Sequence, residues 1–158
     1  MADVTHFLEE AGIDFDVLEH ARTQRAAEEA VALGLGPDEV AKTLVLAAAS
    51  GNFRAVVAAS DRIDLRKVAA MLGVSGKQVH LASEDSLARD YPDFELGAVP
   101  PFGGRRDQVI VDEQLAGRDS VVVEAGSHER SVRLKASDLV RLTRAQVADI
   151  CEEEQTAG

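Results

Sequence analysis

The strongest constraint in this 158-residue chain is a pair of nearly unbroken apolar runs. Thr43-Leu44-Val45-Leu46-Ala47-Ala48-Ala49 is followed by Ser50-Gly51-Asn52, then by Phe53-Arg54-Ala55-Val56-Val57-Ala58-Ala59. Two such runs about a Gly-Asn turn predict a β-hairpin. Strands that do not alternate apolar with polar residues are covered on both faces, so the remainder of the chain must enclose this hairpin.

The surrounding pattern supplies the cover. Val4, Phe7, Leu8 and Ala11 recur at helical spacing over 3–11, and Gly12 is placed to stop that helix. Phe15 and Val17 alternate with Asp14 and Asp16, a strand over 14–19. Thr23 is positioned to cap a helix over 24–33 ending at Gly34, and Pro37 to open a short helix over 37–41. Asp64 caps a helix carrying Leu65, Val68, Ala69 and Leu72, closed by Gly73. Val79–Ala82 reads as a short strand, with a helix starting at Ser83. From Tyr91 to Arg106 the pattern gives way to Gly and Pro. Val109–Val111 and Ser120–Ala125 are strands, Gly126–Glu129 a turn, and Ser131–Leu134 the return arm of a second hairpin. Ser137 opens a C-terminal helical region with a second cap at Thr143, and 152–158 reads as a frayed acidic tail. The sum is one α/β (α+β) domain over residues 1–158. Its mixed sheet has six or seven strands, with helices around it. The elements do not alternate regularly, which argues against a doubly wound nucleotide-binding fold.

Apolar residues form 46% of the chain and charged residues 28%, as in ordinary globular proteins. No apolar run approaches the roughly 20 residues that span a bilayer, and Met1-Ala2-Asp3-Val4 does not resemble a signal peptide. The expected location is the cytoplasm, with no membrane partner. The formal charge of −11, from 28 acidic and 17 basic residues, argues against non-specific nucleic-acid affinity and leaves a local basic patch open.

Familiar catalytic signatures are absent. Gly73-Val74-Ser75-Gly76-Lys77-Gln78 is not a P-loop, because Met71 stands where its first Gly belongs and Gln78 where Ser or Thr must follow the Lys. Cys151 precedes Glu152-Glu153-Glu154, a field that disfavours a thiolate, and reads as structural. No Gly-x-Ser-x-Gly elbow occurs, and His6, His20, His80 and His128 have no zinc spacing. Neither a metal nor a cofactor is expected.

Three features could form a site. Lys42 heads the first apolar strand, where a lysine must reach water or meet an anion; an ordinary strand-end lysine fits as well. Gly97-Ala98-Val99-Pro100-Pro101-Phe102-Gly103-Gly104 is a stiff loop able to present backbone N–H groups, or a plain connection, and Arg105-Arg106 follows it. Ala125-Gly126-Ser127-His128 is a Gly-containing turn after a buried strand, or a simple hairpin tip.

Taken in order, Glu19-His20 with Thr23, Lys42-Thr43-Leu44-Val45-Leu46, Asp64-Leu65-Arg66-Lys67-Val68-Ala69, Gly97 with Pro101-Phe102-Gly103, Val111-Asp112, Gly126 and Asp138-Leu139 resemble the YbaK-like aminoacyl-tRNA deacylase family. These are stand-alone relatives of the editing domain inserted in bacterial prolyl-tRNA synthetases. The match spans residues 13–150. Three positions depart from relatives: Ala98 stands where many carry a second Gly, and some relatives carry an aromatic near the position of Arg25 and an acidic residue near that of Ser131.

The resemblance implies a mostly antiparallel, partly barrel-like sheet and an esterase acting on the 3′ end of misacylated transfer RNA. It implies no side-chain nucleophile; a ribose hydroxyl, a cysteinyl thiol or a water attacks. Lys42 is then the catalytic residue, binding the phosphate or ribose end. Gly97, Val99, Pro100, Pro101, Phe102 and Gly103 orient the ester carbonyl, Gly126 lets the opposite wall approach, and His20 and Thr23 are weaker pocket positions. Cysteine or alanine on proline transfer RNA is the expected substrate, prolyl-tRNA synthetase a potential partner, and the protein a monomer or weak dimer. Two alternatives remain: a non-catalytic module holding a nucleotide or transfer RNA end, and a small-molecule esterase, which would need an activated nucleophile.

Overall fold

The structure, a computed structural model, describes residues 4–23, 25–104 and 107–153. Arg105-Arg106 and residues 154–158 of the expected tail lie outside the described residues. The chain runs α1 (Val4–Glu10), β1 (Phe15–Glu19), α2 (Ala26–Leu33), β2 (Ala41–Ala48), β3 (Gly51–Ala58), α3 (Leu65–Leu72), β4 (His80–Leu81), α4 (Glu84–Asp90), β5 (Gln108–Asp112), α5 (Glu113–Ala116), β6 (Ser120–Ser127), β7 (Arg130–Lys135), α6 (Ala136–Thr143) and β8 (Gln146–Ala148).

The two apolar runs form the antiparallel hairpin β2–β3, with Ala41 opposite Ala58 and Ala48 opposite Gly51. Gly51 has φ 120°, a conformation that lets the tight turn close. The hairpin is the centre of a five-stranded sheet ordered β4-β2-β3-β5-β8. β5 and β8 join in parallel, the other pairings being antiparallel. One face places Val45, Val56, Val109 and Val111 against Val121, Val123, Val132 and Leu134 of a three-stranded sheet, β1-β7-β6. The other places Leu46, Phe53, Val57 and Ile110 against Val68 and Ala69 of α3 and against Ile150. Both faces are therefore buried, the reason polar alternation is missing from these strands. α2 packs Ala26 and Ala30 on Val40 and Val122 at the side where the sheets meet.

The free edge of β2 shapes the molecule. At one end Val40 forms a parallel bridge with Val122, the Val122 N–H donating to Glu39 O at 3.1 Å. At the other, Leu46 and Ala47 pair with β4, and the Ala82 N–H donates to Val45 O at 3.0 Å. Between these ties the edge has no strand partner among the described residues. Backbone groups of alternate residues point to the same side of a strand, so Thr43 N–H and C=O face the gap.

The mixed, mostly antiparallel α+β domain agrees with the sequence reading. The single six- or seven-stranded sheet becomes eight strands in two sheets, because the link between them shrinks to one bridge; no closed barrel forms among the described residues. Four local expectations are corrected. Residues 37–41 are not a helix: Glu39 turns back, its carboxylate accepting from Gly36 N–H at 2.7 Å, and Val40 is taken by the sheet bridge. Thr23 does not cap α2, since Arg25 occupies that position without a side-chain bond. The second hairpin turns at His128-Glu129, because a bulge after Glu124 carries Gly126 and Ser127 into β6. Thr143 ends α6, donating to Leu139 O at 2.8 Å, and β8 follows rather than another helix. The chain also stays held through Glu152, whose N–H donates to Arg62 O at 2.7 Å. No described helix is long and apolar enough to cross a membrane.

Arg54 of β3 fixes the Gly- and Pro-rich connection. It is 0% exposed. Its Nη1 donates to Pro100 O at 2.8 Å, its Nη2 to Gly103 O at 2.6 Å and its Nε to Asp107 at 3.1 Å. Its guanidinium lies 4.9 Å from the ring centroid of Tyr91, whose hydroxyl donates to Asp107. Burial beside Asp107 pushes the Tyr91 hydroxyl up to about 12, so it remains a donor. Removing one partner from such a buried group strands the other charge. Arg54→Met is expected to lower stability by about 3–5 kcal/mol in urea unfolding; an unchanged midpoint would contradict this reading.

Candidate functional site

The gap along β2 opens into a hollow of about 410 Å³. β2 contributes Lys42, Thr43, Leu44 and Val45, and the start of α2 contributes Arg25, Ala26 and Ala27. Ala59, Leu81, Ala82 and Leu87 give an apolar wall; Gly97, Val99 and Glu124 complete the enclosure. Apolar lining with a few convergent polar groups is the usual make-up of a small-ligand site.

Lys42 is half-buried. Burial pulls its ammonium below the usual lysine value, against the fields of Cys151 and Asp61. It makes no hydrogen bond or ion pair with any described residue. Arg25 stands exposed at the entrance, at the uncapped N-terminus of α2. A helix start carries N–H groups without intrahelical partners and a positive partial charge. One side of the hollow therefore favours an anion.

The expected loop residues divide. Gly97 and Val99 line this hollow. Gly97 has φ 82°, and its N–H donates to no described residue. Pro100 is buried, its carbonyl held by Arg54. Pro101, Phe102 and Gly103 instead line a separate hollow of about 710 Å³. There Phe102 stacks on Phe7, the ring centroids 5.6 Å apart. Ala98 is 0% exposed and faces the interior, so its methyl group does not narrow the Lys42 hollow.

Gly126, His20 and Thr23 lie outside the lining but tie its parts together. Gly126 O accepts from Glu95 N–H at 2.9 Å, and Thr23 N–H donates to His128 O at 3.1 Å. His128, which the sequence offered only as a turn residue, is a clamp: its Nε2–H donates to Leu96 O at 2.6 Å and its backbone N–H to Glu95 Oε2 at 3.1 Å. These bonds set the loop that carries Gly97. Asp112 is structural, capping α5 through Gln114 N–H and accepting from Ile150 N–H.

The sequence reading missed a carboxyl pair beside the hollow. Glu124 is 8% exposed and Glu29, on α2, 2%. Ser131, opposite Glu124 in the β6–β7 ladder, donates to Glu29, and Ser131 Oγ lies 2.9 Å from His20 Nε2. The second Glu29 oxygen is buried without a partner. Burial raises both carboxyls, Glu124 well above the ordinary value, and the nearby Glu29 raises Glu124 further. The signal was available: Glu124 interrupts the apolar run Val121-Val122-Val123-Glu124-Ala125.

A raised folded-state carboxyl keeps protons that the unfolded chain releases, so its contribution to stability falls as pH rises above the ordinary value of 4.5. Glu124→Gln cannot ionise. It is expected to melt higher than the parent protein at pH 8, with the difference shrinking toward pH 5; a constant difference in calorimetry would contradict burial as the cause.

Comparison with known proteins identifies the domain. Residues 20–142 match the aminoacyl-tRNA editing domain family. The prolyl-tRNA editing protein ProX of Acetoanaerobium sticklandii is 30% identical over 145 residues, covering 87% of each chain. The multifunctional Ser/Thr-tRNA deacylase ProXp-y of Escherichia coli K12 is 27% identical over 157 residues, covering 92% of each. A solved structure described as a candidate trans-editing enzyme for prolyl tRNA synthetase superposes with a TM-score of 0.85 at 29% identity, covering 95% of both chains. The chain belongs to the aminoacyl-tRNA editing domain family.

Proposed function

We propose that this chain is an aminoacyl-tRNA deacylase acting in trans, hydrolysing the ester that joins a misattached amino acid to the 3′-terminal adenosine of a transfer RNA. The observation that carries the reading is Lys42: a half-buried lysine without a described partner, lining a half-open hollow beside a helix N-terminus. Lys42 and Arg25 receive the phosphate and ribose. The unengaged N–H of Gly97 and the backbone of Thr43 face the same space and orient the ester carbonyl. A donor aimed at the developing oxyanion typically contributes about 3 kcal/mol to lowering the barrier.

Among the described lining residues there is no serine, cysteine or histidine, and the Thr43 hydroxyl therefore has no histidine beside it in the lining to activate it. Attack falls to a water or to a hydroxyl or thiol of the substrate. With water, its oxygen bonds to the carbonyl carbon, the acyl–oxygen bond breaks, and the ribose oxygen leaves with a proton. The protein supplies placement and electrostatics.

The small side chains of Ala26, Ala27, Ala59 and Ala82 favour a small amino acid. Cysteine or alanine on proline transfer RNA is our first assignment; seryl and threonyl substrates belong in the same panel, given the ProXp-y relative. The acidic surface makes delivery by a prolyl-tRNA synthetase, in the cytoplasm, part of the reading.

Lys42→Ala is expected to reduce deacylation of the preferred misacylated transfer RNA by about 100-fold or more, with an unchanged thermal melt. Full activity in that variant would remove the assignment. Gly97→Val, a β-branched residue at positive φ, is expected to lose activity; wild-type rates with a wild-type melt would show that the loop does not approach the ester.

A further inference from the structure

Glu124 lines the hollow, yet the hydrolysis described above has no use for it. It lies on the face of β6 shared with Val122, which packs on Ala26 and Ala30 of α2. It is 8% exposed and makes no hydrogen bond or ion pair with any described residue, including the two cations of the same hollow. A buried polar group without a partner is costly. Beside it stands Glu29, which has a second orphaned oxygen. Of the two carboxyls Glu124 is the one that lines the hollow, and with no described partner for its oxygens it forms a place that one arriving cation would complete.

We propose that Glu124 receives the α-ammonium group of the aminoacyl ester, so that the hollow selects free amino-acid esters over those whose amino group is absent or blocked. The inference rests on the deacylase reading and deepens it. An aminoacyl ester of a small neutral amino acid carries one cation on its acyl part, attached to the carbon next to the carbonyl. A carbonyl oriented at Gly97 keeps that cation inside the same 410 Å³ hollow. The nearby wall of Ala26, Ala27, Ala59, Leu81, Ala82 and Leu87 offers it no side-chain acceptor. A desolvated ammonium needs one, and Glu124 supplies it. Glu29 acts through Glu124 as a positioning residue, held by Ser131. The site thus has two ends: Lys42, Arg25 and the start of α2 for the phosphate side, and for the amino side Glu124, whose raised carboxyl an arriving ammonium draws back toward its ionised form.

The test uses non-hydrolysable amides that differ only at that group: 3′-alanylamino-3′-deoxyadenosine, bearing the ammonium, and its lactyl counterpart, bearing a hydroxyl. Dissociation constants are measured by calorimetry on the full chain and on Glu124→Gln, alongside deacylation of the transfer RNA panel. The wild type is expected to prefer the alanyl amide by about tenfold or more, the strength of one charge-assisted hydrogen bond. Glu124→Gln is expected to bring the two amides within about threefold of each other by weakening the alanyl amide alone. Equal binding of both amides by the wild type, or an undiminished preference in Glu124→Gln, would overturn the inference; with deacylation intact, the deacylase reading would survive it. A Glu124-dependent preference in a protein that deacylates nothing would uphold the ammonium site and remove the enzyme. Loss of binding by both amides equally in Glu124→Gln would assign the carboxyl to shaping the hollow, which also overturns the proposal.

Discussion

Everything in this fold turns on how the edge of β2 is satisfied. A strand edge exposes N–H and C=O groups that seek partners. Here the second sheet takes the edge at Val40 and the short β4 takes it at Leu46 and Ala47, leaving the intervening backbone open. Extending either contact would complete the ladder and remove the hollow. The two sheets stop short of closure at the hollow, and Lys42 lines that interruption.

An open edge makes a site only if its other wall is rigid, and two buried side chains provide this from opposite ends of one loop. Arg54 draws in the carbonyls of Pro100 and Gly103, while His128 and Gly126 fasten Leu96 and Glu95. Gly97 and Val99 lie between the fasteners. The loop is held without regular structure because side chains take the carbonyls of Leu96, Pro100 and Gly103. Arg54, 0% exposed, also accounts for a polar residue inside the most apolar strand of the chain.

Local chemistry made much of this readable. The β2–β3 hairpin, the Asp64 cap on α3 and the left-handed Gly34 and Gly73 follow from neighbours in sequence, and all are present. The misread pieces depend on distant partners. Residues 37–41 have helix-compatible chemistry, but Val122 claims Val40 for the sheet. β8 is three residues long, and its existence rests on β5 lying beside it. The candidate site divides in the same way. Lys42 and Gly97 were legible through a motif; Glu124, His128 and Arg54 were not, because their roles arise from groups roughly 30 to 100 residues away in sequence. The Pro101–Gly103 segment was assigned to the site as one piece with Gly97, and the pull of Arg54 on both Pro100 and Gly103 is what turns it toward a different hollow.

Net charge and local field must be kept apart in this protein. A chain of charge −11 repels a polyanion at long range, and that repulsion fades beyond about 10 Å at ordinary salt. On the proposed reading only the last nucleotide of a transfer RNA has to enter the hollow, whose lining includes Lys42, Arg25 and the start of α2, so the local sign differs from the net charge. Such a surface slows encounter more than it weakens the seated complex, since steering acts mainly on association. A protein arranged in this way gains from a carrier that brings the charged end within a few ångströms of the site.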